Sequence, residues 1–131
     1  MKLNIECIRD ILLFLEDNLI ISDNLEENFF TAQEISAGIN YPLGETANTL
    51  LALNEAGFIR CSRQDAENCI HLLIADHITY AGYQFLETIR PETVCQKTIS
   101  ICKSVGSFSL DIVSKVASNI LMQMITNQLH F

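Results

Sequence analysis

Cys69 and His71 stand two residues apart in CIHLLIA, a run of large and β-branched apolar residues, so on a strand both side chains project from one face. A thiol beside an imidazole is the minimal arrangement for an activated cysteine nucleophile. The commoner meaning of such a pair is a buried thiol next to a surface histidine, and His71, His77 and His130 are scattered along the chain. Cys61 can approach Cys69 across a hairpin, with His71 one pleat away, but three ligands without a fourth at standard spacing make a poor zinc site. There is no Gly-rich phosphate loop. The expectation is therefore a protein that is not an enzyme and carries no metal and no cofactor. Its five cysteines are odd in number and contain no C-x-x-C pair, which predicts reduced thiols, with Cys95 and Cys102 as core positions.

Binding chemistry is better represented. The stretch GETANTLLALNEAGFIRCS, residues 44–62, reads as a helix, a Gly stop and a strand. With Leu50, Leu51 and Leu53 inward, Asn48 and Thr49 face outward, where Asn48 can pair with adenine and Thr49 can touch a phosphate. Arg60 and Arg63 flank the following hairpin, where a wing enters a minor groove or tracks a phosphate of double-stranded DNA. Against this, Glu45 and Glu55 lie on the same helix and would be repelled by the DNA backbone. Residues 1–57 hold ten acids and two bases, whereas residues 58–131 hold six of each, so the net charge of −8 lies entirely in the first half. Glu45, Glu55, Glu26 and Glu27 are thus candidates for an acidic face that meets a host or phage protein with a basic surface. A solvated acidic face that keeps the protein soluble is the plain alternative.

These residues must be held by identifiable elements. NIECIRDILLFLED spaces Ile5, Ile8, Leu12 and Leu15 as one face of a helix over 4–17. Phe29 and Phe30 suit a short strand, and Thr31 with Glu34 forms a capping-box signature for a helix over 32–37 that ends at Gly38. GINYPLG reads as a tight connection to the helix over 45–56, with Ala47 also inward and Gly57 as its terminator. Residues 58–61 and 69–75 read as strands of a hairpin turned by RQDAEN. Thr79 caps a helix that halts before Pro91, with Tyr80 and Tyr83 packing near the hairpin; another helix covers 92–104, and Ser107 or Ser109 opens a final one. In that last helix Val113, Ala117, Ile120 and Met124 form an apolar seam, and Lys115 is the sole charge between 112 and 131.

The order helix, short strand, helix, turn, helix, hairpin is that of a winged helix-turn-helix. The expected fold class is mainly α within α+β, with a winged domain over 1–90 and a C-terminal helical extension over 91–131. That extension either packs on the domain or forms a homodimer through the seam. At 131 residues and 49% apolar composition the chain suits one domain, and no apolar run has bilayer-spanning length, which predicts a cytoplasmic protein without membrane contact.

LNIECIRDILLFLEDN, LLALNEAGFI, ITYAGYQFLETIR and VCQKTISICKSVGSFSLDIVSKVASNIL together resemble, in order, the blocks of an uncharacterised family of small bacterial and phage proteins known only as a domain of unknown function. The departures are Tyr83 where His is common, Cys95 where Trp is common, and Ile99 where a base is frequent. The resemblance implies a winged-helix-like fold in a phage or prophage setting and supplies no catalytic residues and no partner. Two functions are in keeping with all of this: a regulator or accessory factor in nucleic-acid transactions, and an acidic protein-interaction module such as a counter-defence inhibitor.

Overall fold

The computed structural model describes residues 2–129; His130 lies outside them. Helix α1, Ile5–Asn18, starts at Asn4, whose side chain accepts from the Cys7 amide, and it buries Ile5, Cys7, Ile8, Ile11, Leu12 and Leu15. Strand β1, Phe30–Thr31, runs straight into helix α2, Ala32–Ile39, where the Thr31 and Glu34 capping box forms on both sides. Helix α2 does not stop at Gly38. It continues to Ile39 because Asn40 takes the left-handed conformation at φ 61° and supplies the termination that Gly38 was expected to give. Gly38 instead lets the Phe14 ring lie against the helix backbone.

Helix α3, Leu43–Glu55, begins earlier than expected because Pro42, with φ −57°, presets the entry to the first turn and leaves Gly44 within the helix. It is also rotated from the expected face: Thr46, Thr49, Leu50 and Leu53 are buried, whereas Ala47 and Leu51 are only partly so. Both threonines can be buried because each hydroxyl donates one turn back, Thr46 to the Pro42 carbonyl at 3.0 Å and Thr49 to Glu45 at 2.8 Å. Gly57, at φ 79°, then turns the chain into strand β2, Ile59–Ala66.

Strand β3, Cys69–Ile78, pairs antiparallel with both β1 and β2, giving a three-stranded sheet in the order β1-β3-β2. The turn is only Glu67 and Asn68, not the six residues RQDAEN, because Asn68 adopts φ 58° and closes the hairpin early. Two register shifts leave Asp76 and His71 as extra residues on β3. From Ser62 to Cys69 every residue is exposed, so the end of the hairpin stands clear of the core.

Three helices complete the chain: α4, Tyr80–Ile89, capped by Thr79; α5, Glu92–Val105, ended by Gly106 at φ 74°; and α6, Leu110–Leu129. Cys95, Cys102, Leu110 and Val113 belong to the same apolar cluster as Ile8, Leu12, Leu50 and Leu86, so the C-terminal helices share the core of the first ninety residues. The architecture is α+β and mainly helical, with six helices among the described residues. No helix among them is long and apolar enough to cross a membrane.

Candidate interaction surfaces

The segment that follows α3 is pinned by its neighbours before it is available to a ligand. Asn54 accepts from the Cys61 amide at 3.0 Å, the Thr79 amide donates to the Phe58 carbonyl at 3.0 Å, and Phe58 stacks on Phe85 with centroids 5.0 Å apart. Gly82 faces the Phe58 carbonyl so closely that a Cβ there would overlap its oxygen. On α1, Arg9 donates to the Ile89 carbonyl at 3.2 Å and doubly to that of Arg90 at 3.0 and 2.7 Å. Those carbonyls close α4, where the helix has no partners of its own to offer. Arg90 returns a two-pronged ion pair to Glu16 of α1, both contacts at 2.6 Å, and a third to Glu87. The blocks IRDILL, LNEAGFI and ITYAGYQFLETIR are therefore one packing unit. Neither arginine role was visible in the sequence, because the two partners lie 74 and 81 positions apart.

The candidate nucleic-acid residues divide. Thr49 is 1% exposed and cannot reach a phosphate, which corrects its placement on the outer face. Asn48 is half-buried, and Arg60 is exposed at the base of the hairpin opposite His77. Arg63 is exposed but paired with Asp65 at 2.9 Å. Of the remaining bases, Lys2 lies over the Phe108 ring and Lys115 pairs with Asp111. With Arg9 and Arg90, and counting Lys2, five of the eight Lys and Arg side chains in the sequence have partners, and Arg60, Lys97 and Lys103 have no ion pair among the described residues.

The four acidic candidates do not make one face. Glu45 accepts from Asn4 at 2.8 Å and so braces the start of α1, whereas Glu26 and Glu27 are exposed on the loop that leaves its other end. A helix of 14 residues separates these places by about 20 Å. Glu55 is exposed at the far end of α3.

The cysteines are likewise dispersed. Cys61 lies opposite Ala75 and Cys69 opposite Ala66, so the register puts them at different ends of the hairpin and removes the three-ligand arrangement. Cys69 and His71 are both exposed, so the expected buried thiol is not there. Burial pushes the Cys61 thiol up to about 12 and those of Cys7 and Cys95 to about 11, which holds them protonated and unreactive at neutral pH. Tyr80 and Tyr83 are exposed, not packed.

In α6, Val113, Ala117 and Ile120 are buried and Met124 is half-buried against Val94 and its neighbours. The seam is consumed inside the chain, which corrects its use as a dimer contact; the apolar residues left outward on α6 are Met122, Ile125 and Leu129. A more concentrated apolar group lies in the loop between α1 and β1, where Ile20, Ile21, Leu25 and Phe29 are all more than half exposed.

A family model described as hypothetical protein (DUF2513) matches residues 2–109, and the chain belongs to that family. The match ends where α6 is about to begin. No curated protein and no solved structure matches the chain.

Proposed function

We propose that this DUF2513 member is a non-enzymatic winged-helix protein that acts in the cytoplasm by binding another protein through its acidic half. The winged-helix reading is supported by the order α1-β1-α2-α3-β2-β3 and by strands arranged β1-β3-β2, with the long hairpin as the wing. Five unpaired thiols suit a reducing compartment. The observation that carries the choice of partner is the commitment of the bases: Arg9, Arg63, Arg90 and Lys115 are tied to backbone or carboxylate oxygens, and Arg60 alone is left on the hairpin. A duplex-binding surface commonly neutralises on the order of six to ten phosphates, and Arg60 on the hairpin with Lys97 and Lys103 on α5, the three bases without an ion pair among the described residues, fall far short. A basic protein surface reverses the sign of the problem, since every exposed carboxylate then contributes attraction and on-rate. In the phage or prophage setting that the sequence resemblance implies, a counter-defence inhibitor of a host nucleic-acid-binding protein has this chemistry.

The second reading, a regulator that contacts DNA through Arg60, Arg63 and Asn48, is favoured by the protruding hairpin. A gel shift against random duplex at 50 and 200 mM salt separates the two. No shift at tens of micromolar protein is expected at either salt. A shift that survives 200 mM salt and disappears in Arg60→Ala with Arg63→Ala would replace the protein-binding reading with the DNA one.

A further inference from the structure

We infer that the loop of residues 19–29 is a docking knob, in which Leu25 enters an apolar pocket rimmed by Lys or Arg on another protein. The inference rests on the protein-binding reading above and names its surface.

Scattered exposed apolar side chains are ordinary, but four large ones in water within ten residues are not. Leu25 is 83% exposed, with Ile20, Ile21 and Phe29 at 62%, 63% and 55%. The loop that carries them is built. Ile21 bridges Glu27, the Ser22 amide donates to the Glu26 carbonyl at 2.9 Å, and the Leu25 amide closes a turn on the Ser22 carbonyl at 2.8 Å. At its base the Ile20 amide donates to Asn28 Oδ1 at 2.8 Å, and Asn28 Nδ2 donates to the Asn18 carbonyl at 2.9 Å. The residue after the turn is Leu25 at φ 63°, a conformation that Gly or Asn adopts far more readily. Nothing among the described residues covers the leucine, so the fold gains neither burial nor an easier backbone from having it there.

The occupant follows from the charge. No Lys or Arg occurs between Arg9 and Arg60, and Asp17, Asp23, Glu26 and Glu27 are exposed on or beside the loop with no ion pair among the described residues. A phosphate backbone and an anionic bilayer are both repelled by such surroundings, and a second copy would oppose the same acids. A protein pocket that is apolar within and basic at its rim gains from both the leucine and the carboxylates.

The test places a photoreactive benzophenone amino acid at Phe29 of the full chain and, separately, at Glu55 on α3, and cross-links in extract of the native host. The captured protein is then purified and its Kd measured against the unmodified chain, Leu25→Gly, and Asp23→Asn with Glu26→Gln and Glu27→Gln. Gly suits the backbone at position 25, so the variant keeps its fold, and a thermal melt verifies this. The expected result is capture from position 29, at least tenfold weaker binding for Leu25→Gly, and weaker, less salt-sensitive binding for the charge variant. Equal affinity of wild type and Leu25→Gly overturns the inference. Capture from position 55 alone leaves the protein-binding reading standing and removes the loop from it, whereas capture from neither position removes both. Flotation with vesicles of phosphatidylcholine and phosphatidylserine gives no association if the inference holds, and association lost in Leu25→Gly would overturn it in favour of a lipid surface.

Discussion

Gly82 shows how a motif glycine can be wholly structural. Its missing side chain lets α4 lie against the Phe58 carbonyl, and a methyl group there has no flexible neighbour to displace. Gly82→Ala is expected to destabilise the fold by about 2 kcal/mol, the range of overpacked interiors, and urea melts measure it. The thiols make a second residue-scale case. Cys69 is exposed while Cys7, Cys95 and Cys102 are buried and Cys61 is half-buried with a raised pKa, so one thiol in five should react quickly with a disulfide reagent at pH 7.5 and the others only on unfolding. Because the folded-state values are raised, the associated stability is fully present below the unfolded thiol value of about 8.5 and is lost as pH rises through about 11 to 12. The melting temperature should therefore fall in alkali, and Cys61→Ala should make that fall shallower. The sequence places Cys95 and Cys102 inside by spacing alone; that Cys69 is outside depends on where the hairpin turns, which Asn68 decides.

At the scale of elements, α1 and α4 are joined by two arginines used in opposite directions. Arg9 satisfies the carbonyls at the end of α4, and Arg90 grips Glu16 at the last turn of α1. Arg9→Ala leaves partly buried carbonyls without partners, and a loss of about 2 kcal/mol in denaturant unfolding is expected. The Arg90 guanidinium holds the Glu16 carboxyl below the usual carboxylate range. A lowered acid contributes stability that is present above its unfolded value, about 4.3, and is lost as pH falls through the folded one. Both groups are partly exposed, so the contribution is about 1 kcal/mol or less after screening. Wild type and Glu16→Gln should differ at pH 6 and converge near pH 3. Helix positions were largely legible from apolar spacing, capping residues and Pro91. The face of α3 was not, because Thr46 and Thr49 read as polar until their hydroxyls are seen to bond one turn back.

For the whole molecule, the decisive fact is that α5 and α6 complete the same core that α1 to α4 begin. With Val113, Ala117 and Ile120 buried internally, sedimentation at micromolar concentration is expected to show a monomer. A dimer that Met122→Gln with Ile125→Gln dissociates would instead assign the outer stripe of α6 to self-association. The acidic first half was legible from the order of charges, but not its division between the two ends of α1, since that depends on the Asn4 contact to Glu45.

The amino-acid sequence by itself determined the helical elements, the capping box at Thr31, a hairpin after Gly57, a charge confined to the first half and membership of an uncharacterised family. These depend on neighbours within a few residues, on summed composition or on blocks kept in order, and all three are written along the chain. Tertiary structure alone decided that Thr49 is core, that the α6 seam is used at home, and that Arg9 and Arg90 are clamps. It alone put Leu25 in water on the hydrogen-bonded loop between α1 and β1. Each of those outcomes turns on partners far away in sequence or on the absence of any partner, and apolar periodicity carries neither.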